Sequence, residues 1–162
     1  MRKKVKLRGR HGVSAIEIAI ASFFLIVIAA IAVDMTVLTM GFTMLDTAAR
    51  DAARAAGSQQ DLAKAILAST SQLSTHQTDG VFIKQPTLQG LVSPDFVYQD
   101  FAPPSPPPNP NQLSYVTVTV KTDIRLPVNI SFFGLNLQNS TTGGYFTIAR
   151  RYTFPIVKEK FR

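Results

Sequence analysis

The chain has 162 residues, 46% of them apolar, a formal net charge of +7 and no cysteine. That length holds one domain plus a membrane anchor rather than two full domains, and the missing cysteine excludes disulfides and thiolate metal sites. The charge invites a nucleic-acid reading, but six of the seventeen basic residues (Arg2, Lys3, Lys4, Lys6, Arg8, Arg10) precede Gly12 with no acid among them. Beyond Gly12, 11 basic residues stand against 10 acidic ones, so the basic character belongs to a leader and no nucleic acid is expected as a partner.

Residues 1–12 form that basic leader. From Val13 to Val33 the chain is apolar apart from a few small polar residues and one acid, Glu17. As a helix this segment is about 32 Å long, enough for a hydrocarbon core of roughly 30 Å. The basic tail before it places the N-terminus in the cytoplasm. Three readings are open: a plain signal anchor, a secretory signal removed at the small-x-small triplet Ala30-Ile31-Ala32, or a span whose leader is cut after Gly12. The first two leave Glu17 unexplained, unless it is a carboxylate solvated at headgroup depth beside Arg8 and Arg10.

A charge inside a spanning helix costs on the order of 2.5–3.5 kcal/mol near the centre and less near an end, so such a group calls for a partner. The third reading supplies one. A cut after Gly12 exposes the α-amine of Val13, and Glu17 then lies about 6 Å deeper along the helix. A neighbouring subunit shifted by that distance sets its amine against the carboxylate, offsets the desolvation of both groups and fixes the register between subunits.

No proline occurs between Met1 and Gln85, so nothing forces a break where the apolar run ends. Residues 34–57 continue as an amphipathic helix, with Leu38, Phe42, Leu45, Ala49, Ala52 and Ala56 recurring at helical spacing. Asp46–Arg50 and Asp51–Arg54 run acid before base, the supportive orientation. The alanine density permits close approach, either to sister helices in a bundle or to the chain's own domain. Gly57 offers a stop, and Ser58-x-x-Asp61 reads as a capping box restarting a helix to about Leu73.

Gly12-Val13-Ser14-Ala15-Ile16-Glu17 resembles the processing site of type IV pilin-like proteins. The stretch Met44–Gly57, MLDTAARDAARAAG, is similar to the TadE-like family of tight-adherence (Tad) pilus proteins, in which a basic leader, a G-x4-E site and an Ala/Arg-rich helix recur in this order. The likeness covers about Arg8 to Gly57, with Ile18 standing where the family often has an aromatic. It implies a single-pass pseudopilin of the bacterial inner membrane, with its C-terminal domain extracytoplasmic, that is cut after Gly12 by a prepilin peptidase. It implies other pilin-like subunits as partners through the N-terminal helix, together with the pilus assembly platform and membrane lipid, and no cofactor. Glu17 would carry subunit register, and Val13 would supply the paired amine. A pseudopilin of a general secretion system and a signal-anchored or secreted binding domain are the competing readings.

Residues 58–162 make the extracytoplasmic domain. Val81–Lys84 reads as a short strand ended by Pro86. The stretch 102–111 holds six prolines in ten residues and reads as an extended spacer. Tyr115 to Leu126 alternates cleanly, with Val116, Val118, Val120, Ile124 and Leu126 on one face, and is the best strand in the chain. Tyr145 to Phe154 is a second strand, in which Arg150 interrupts an apolar face and is expected to snorkel. Val128 to Leu137 reads as a short helix or loop covering the sheet. The fold class is α+β: a long N-terminal helix, transmembrane then amphipathic, packed on a small antiparallel β-sheet in a pilin-like outline.

Catalytic chemistry finds little footing. His11 and His76 are far apart, Gly-Val-Ser-Ala is no nucleophile elbow, and no phosphate-binding loop is present. Asp95 and Asp100 read as solvated acids beside aromatics in a loop. Asn129-Ile130-Ser131 and Asn139-Ser140-Thr141 match glycosylation sequons but read as turn chemistry. No catalytic, metal or cofactor site is assigned.

Overall fold

In the computed structural model the proline-free N-terminal half forms one uninterrupted helix, α1 (Arg10–Gly57, 48 residues). A second helix, α2 (Leu62–Ser74), follows, then four strands: β1 (Thr87–Leu88), β2 (Phe96–Gln99), β3 (Tyr115–Arg125) and β4 (Tyr145–Pro155). The structure describes residues 10–101, 113–128 and 144–156. The proline-rich stretch 102–111 and most of the segment expected to cover the sheet lie outside the described residues, as does most of the leader.

The fold is α+β, and its sheet is built on β3. Along one side β4 pairs with it in full antiparallel register, from Tyr115↔Pro155 to Arg125↔Tyr145. The other side is shared by β2 (Phe96↔Val118 to Gln99↔Tyr115) and β1 (Thr87↔Lys121, Leu88↔Val120). Central placement explains a departure from simple alternation. Val116, Val118, Val120 and Ile124 are fully buried on the core face, but Thr117 and Thr119 are buried as well. Their hydroxyls face β4, Thr117 bonding Thr153 and Thr119 accepting from Arg151.

The second half of α1 packs on its own domain. Leu45, Ala49, Ala52 and Ala56 are wholly buried, and so are Ala48 and Ala53, so the buried face is wider than the sequence stripe. They join Ala65 and Leu73 of α2 and the β3 valines in one core. Alanine is what permits this closeness: the buried Ser69 hydroxyl of α2 donates directly to the Ala52 carbonyl of α1 at 3.1 Å. Gly57 serves the same end, because a Cβ there would sit 2.7 Å from the Phe154 ring and 2.9 Å from the Pro155 carbonyl. Leu38 is half-buried, and Phe42 is 38% exposed. Two or three strands alone are marginal in water; here α1 and α2 cover one face of the sheet.

Several local expectations are corrected. Ser58 does not start the second helix. Its hydroxyl donates to Ala55 and its N–H to Arg54, which finishes α1. The N-cap is Asp61, whose carboxylate accepts the Lys64 N–H at 2.8 Å; that bond holds the Asp61 carboxyl below its ordinary range.

Val81–Lys84 contributes only a single bridge, Ile83↔Ile124, because Asp79 Oδ1 accepts the N–H groups of Val81, Phe82 and Ile83 and holds them in a turn. Asp95 and Asp100 flank strand β2 rather than sharing a loop, about 16 Å apart along an extended chain. Asp46–Arg50 forms as expected at 2.7 Å, whereas Asp51 faces His76 at 3.5 Å instead of pairing with Arg54. Arg150 does lie over apolar surface, its guanidinium 5.8 Å from the Phe42 ring.

Candidate functional site

The residues singled out from the sequence, Gly12, Val13 and Glu17, all fall at the start of α1. Gly12 and Val13 fall in the first turns of the helix, and Glu17 follows about one turn on, exposed. Around and beyond it, Ile16, Ile18, Ile20, Phe23, Phe24, Leu25, Ile26 and Ile28 are each more than half exposed. No described part of the chain's own domain covers them. An exposed apolar surface of that extent marks a contact with a membrane or with another protein, and the helix is long and apolar enough to cross a membrane. No ion pair to Glu17 is found among the described residues.

The apolar run ends on Asp34, and there the domain begins. Asp34 is 7% exposed, and its Oδ1 accepts the N–H of Val128 at 3.0 Å. This bond ties the helix, one residue past its apolar run, to the chain just beyond β3. Two turns on, Gly41 continues the seam, for a Cβ there would collide with Ile124. Sequence reasoning passed over both residues. An acid closing an apolar run looks like a membrane flank, and only the tertiary contact shows it as an anchor.

Asp34→Ala should leave the half-buried Val128 N–H without its partner, at a cost of about 1 kcal/mol. Hydrogen exchange at the Val128 amide in the full chain reads this directly, and unchanged protection would show that the bond does not hold the domain to the helix.

Three searches, against protein-family models, curated proteins and solved structures, found no match. The site is therefore weighed on its own chemistry. Among the described residues no three His, Asp or Glu side chains converge. His76 Nε2 is buried near Asp51 without a hydrogen bond: at 3.5 Å the two lie within ion-pairing range but not in bonding geometry. Arg50 meets Tyr152 through a hydrogen bond and a ring contact; that bond first, and Asp46 second, hold its guanidinium above the ordinary value. An open groove of about 480 Å³ between α2 and β1 is lined by Ile66, Leu73, Pro86, Leu88 and Leu91 together with Gln85 and the hydroxyl residues Thr70, Ser74 and Thr87, with no ionisable side chain in its lining. The arrangement suits attachment and packing.

Proposed function

We propose that this chain is a pilin-like structural subunit, a minor pilin or pseudopilin of a tight-adherence type IV pilus machine, resembling the TadE-like proteins. On this reading α1 inserts in the cytoplasmic membrane with its basic leader inside. A prepilin peptidase cuts after Gly12, where backbone without a side chain gives the enzyme its grip. The new Val13 amine of one subunit pairs with Glu17 of the next and sets their register. The observation that carries the reading is α1 itself. One unbroken helix begins at a G-x4-E site, presents about 20 residues of uncovered apolar surface and then becomes the packed spine of a small sheet domain.

Intact mass with N-terminal peptide mapping of the protein from membranes of its native host tests this. A start at Val13 is the expected result. A start at Val33 would make the chain a secreted domain, and an uncut leader would make it a plain signal anchor; either overturns the proposal.

A further inference from the structure

Helix α1 and the sheet run side by side, and the match of their lengths shows how closely. Ile124 touches α1 at Gly41, and Phe154, paired with Val116, touches it at Gly57. Between those points β3 covers about 26 Å and α1 about 24 Å, so strand and helix are nearly parallel. The sheet therefore has one end toward the apolar run of α1 and one end away from it.

The near end is set by the Asp34–Val128 bond, directly past Val33. Gly41 and Ile124 stand about 12 Å beyond Val33. Arg125 lies one residue from Ile124 toward Val128, paired with Tyr145 and donating its N–H to Phe82. Arg125, Tyr145 and Phe82 thus fall within the first 12 Å or so outside the apolar run. The headgroup layer on each side of a bilayer occupies roughly 5–7 Å.

What gathers at this end has a definite chemistry. The Lys84 ammonium lies 4.1 Å from the centre of the Tyr145 ring, and the Arg125 guanidinium lies 6.0 Å from the same ring on an exposed side chain. The Tyr145 hydroxyl donates to the Val81 carbonyl, and the Val81 side chain is 55% exposed. The nearby acids are engaged. Asp79 caps three backbone N–H groups, and Asp123 accepts from Thr147 and faces Lys84. An aromatic ring framed by long cationic side chains and an exposed aliphatic is the composition that settles at headgroup depth.

We infer that Val81, Phe82, Lys84, Arg125 and Tyr145 form a membrane-seating surface, which rests the domain on the phosphate-bearing headgroups of the bilayer that α1 spans. The inference rests on the reading of α1 as a membrane span. Lys84 and Arg125 meet lipid phosphates, the exposed Val81 enters the layer beside them with the half-buried Phe82 behind it, and the Asp34–Val128 bond holds the surface at that height. The partner is lipid, not a second protein.

Since the chain has no cysteine, one fluorophore can be placed at will. The full chain is labelled with an environment-sensitive dye at Val81→Cys, at Gln99→Cys on the far end of the sheet, or at Ile26→Cys in α1. It is then set in nanodiscs of phosphatidylcholine and phosphatidylglycerol carrying headgroup spin-labelled lipid. Quenching at Val81 is expected to exceed that at Gln99 several-fold, and the pair Lys84→Gln with Arg125→Gln should bring the two together. Equal quenching at Val81 and Gln99, with Ile26 reporting acyl-chain surroundings, would overturn the seating surface alone. A water-exposed Ile26 would overturn the membrane reading and this inference with it.

Discussion

Leu45→Ala is expected to destabilise the sheet domain by about 2–5 kcal/mol. Leu45 is wholly buried and is the one large side chain on a helix face otherwise made of Ala48, Ala49, Ala52, Ala53 and Ala56. Alanines cannot swing into a space left beside them, and the β3 valines opposite are branched at Cβ and stiff. The site therefore collapses poorly, and the upper part of the range applies. Urea titration of the full chain in nanodiscs, followed by tyrosine fluorescence, is a clean measure. The chain has no tryptophan, and Tyr98, Tyr115, Tyr145 and Tyr152 all sit in strands, so the signal reports the sheet and not the apolar half of α1. A loss below about 1 kcal/mol at unchanged slope would mean that α1 does not hold the sheet in place.

If the proposed pilin reading holds, Glu17→Gln should spare insertion and anchoring yet cut fibre formation on the order of tenfold or more, because removing one partner of the desolvated ion pair it proposes would strand the other. The exchange keeps shape and removes the one charge that the apolar part of α1 presents. Membrane fractionation should find the variant where the parent is, in equal amount and with the same cleaved N-terminus. Electron microscopy of the host, counting pili per cell, supplies the second readout. Normal pili on cells carrying only the variant would end the idea that Glu17 sets subunit register. Loss of the protein from membranes would instead give the residue a role in insertion.

The parts of the fold that were legible in the sequence are those with long, regular periodicity. The alternation over Tyr115 to Leu126 identifies β3 to within one residue, and the proline-free run with its alanine stripe identifies α1. What escaped is short or made by tertiary contact. Strands β1 and β2 have two and four residues, too few for a period, and they exist because β3 offers its second edge. The Ser58-x-x-Asp61 pattern fits a capping box, but chain geometry after Gly57 gives Ser58 to the end of α1 and Asp61 to the start of α2. Of the candidate site, Gly12, Val13 and Glu17 could be picked out from spacing and charge alone. Asp34, Gly41 and the Lys84–Arg125–Tyr145 group could not, since their partners lie far away in the chain.

The near-parallel course of α1 and the sheet also decides how the protein answers a pull. A force applied along α1 from its apolar end runs along the seam from Gly41 to Gly57 rather than across it. Leu45, the buried alanines and the Ser69 hydrogen bond then resist together, in shear, instead of opening one after another as in peeling. Long pairing between β3 and β4 lies in the same direction, so tension passes from helix to sheet with no soft joint between them. The sheet domain and the second half of α1 therefore take such a load as one stiff body.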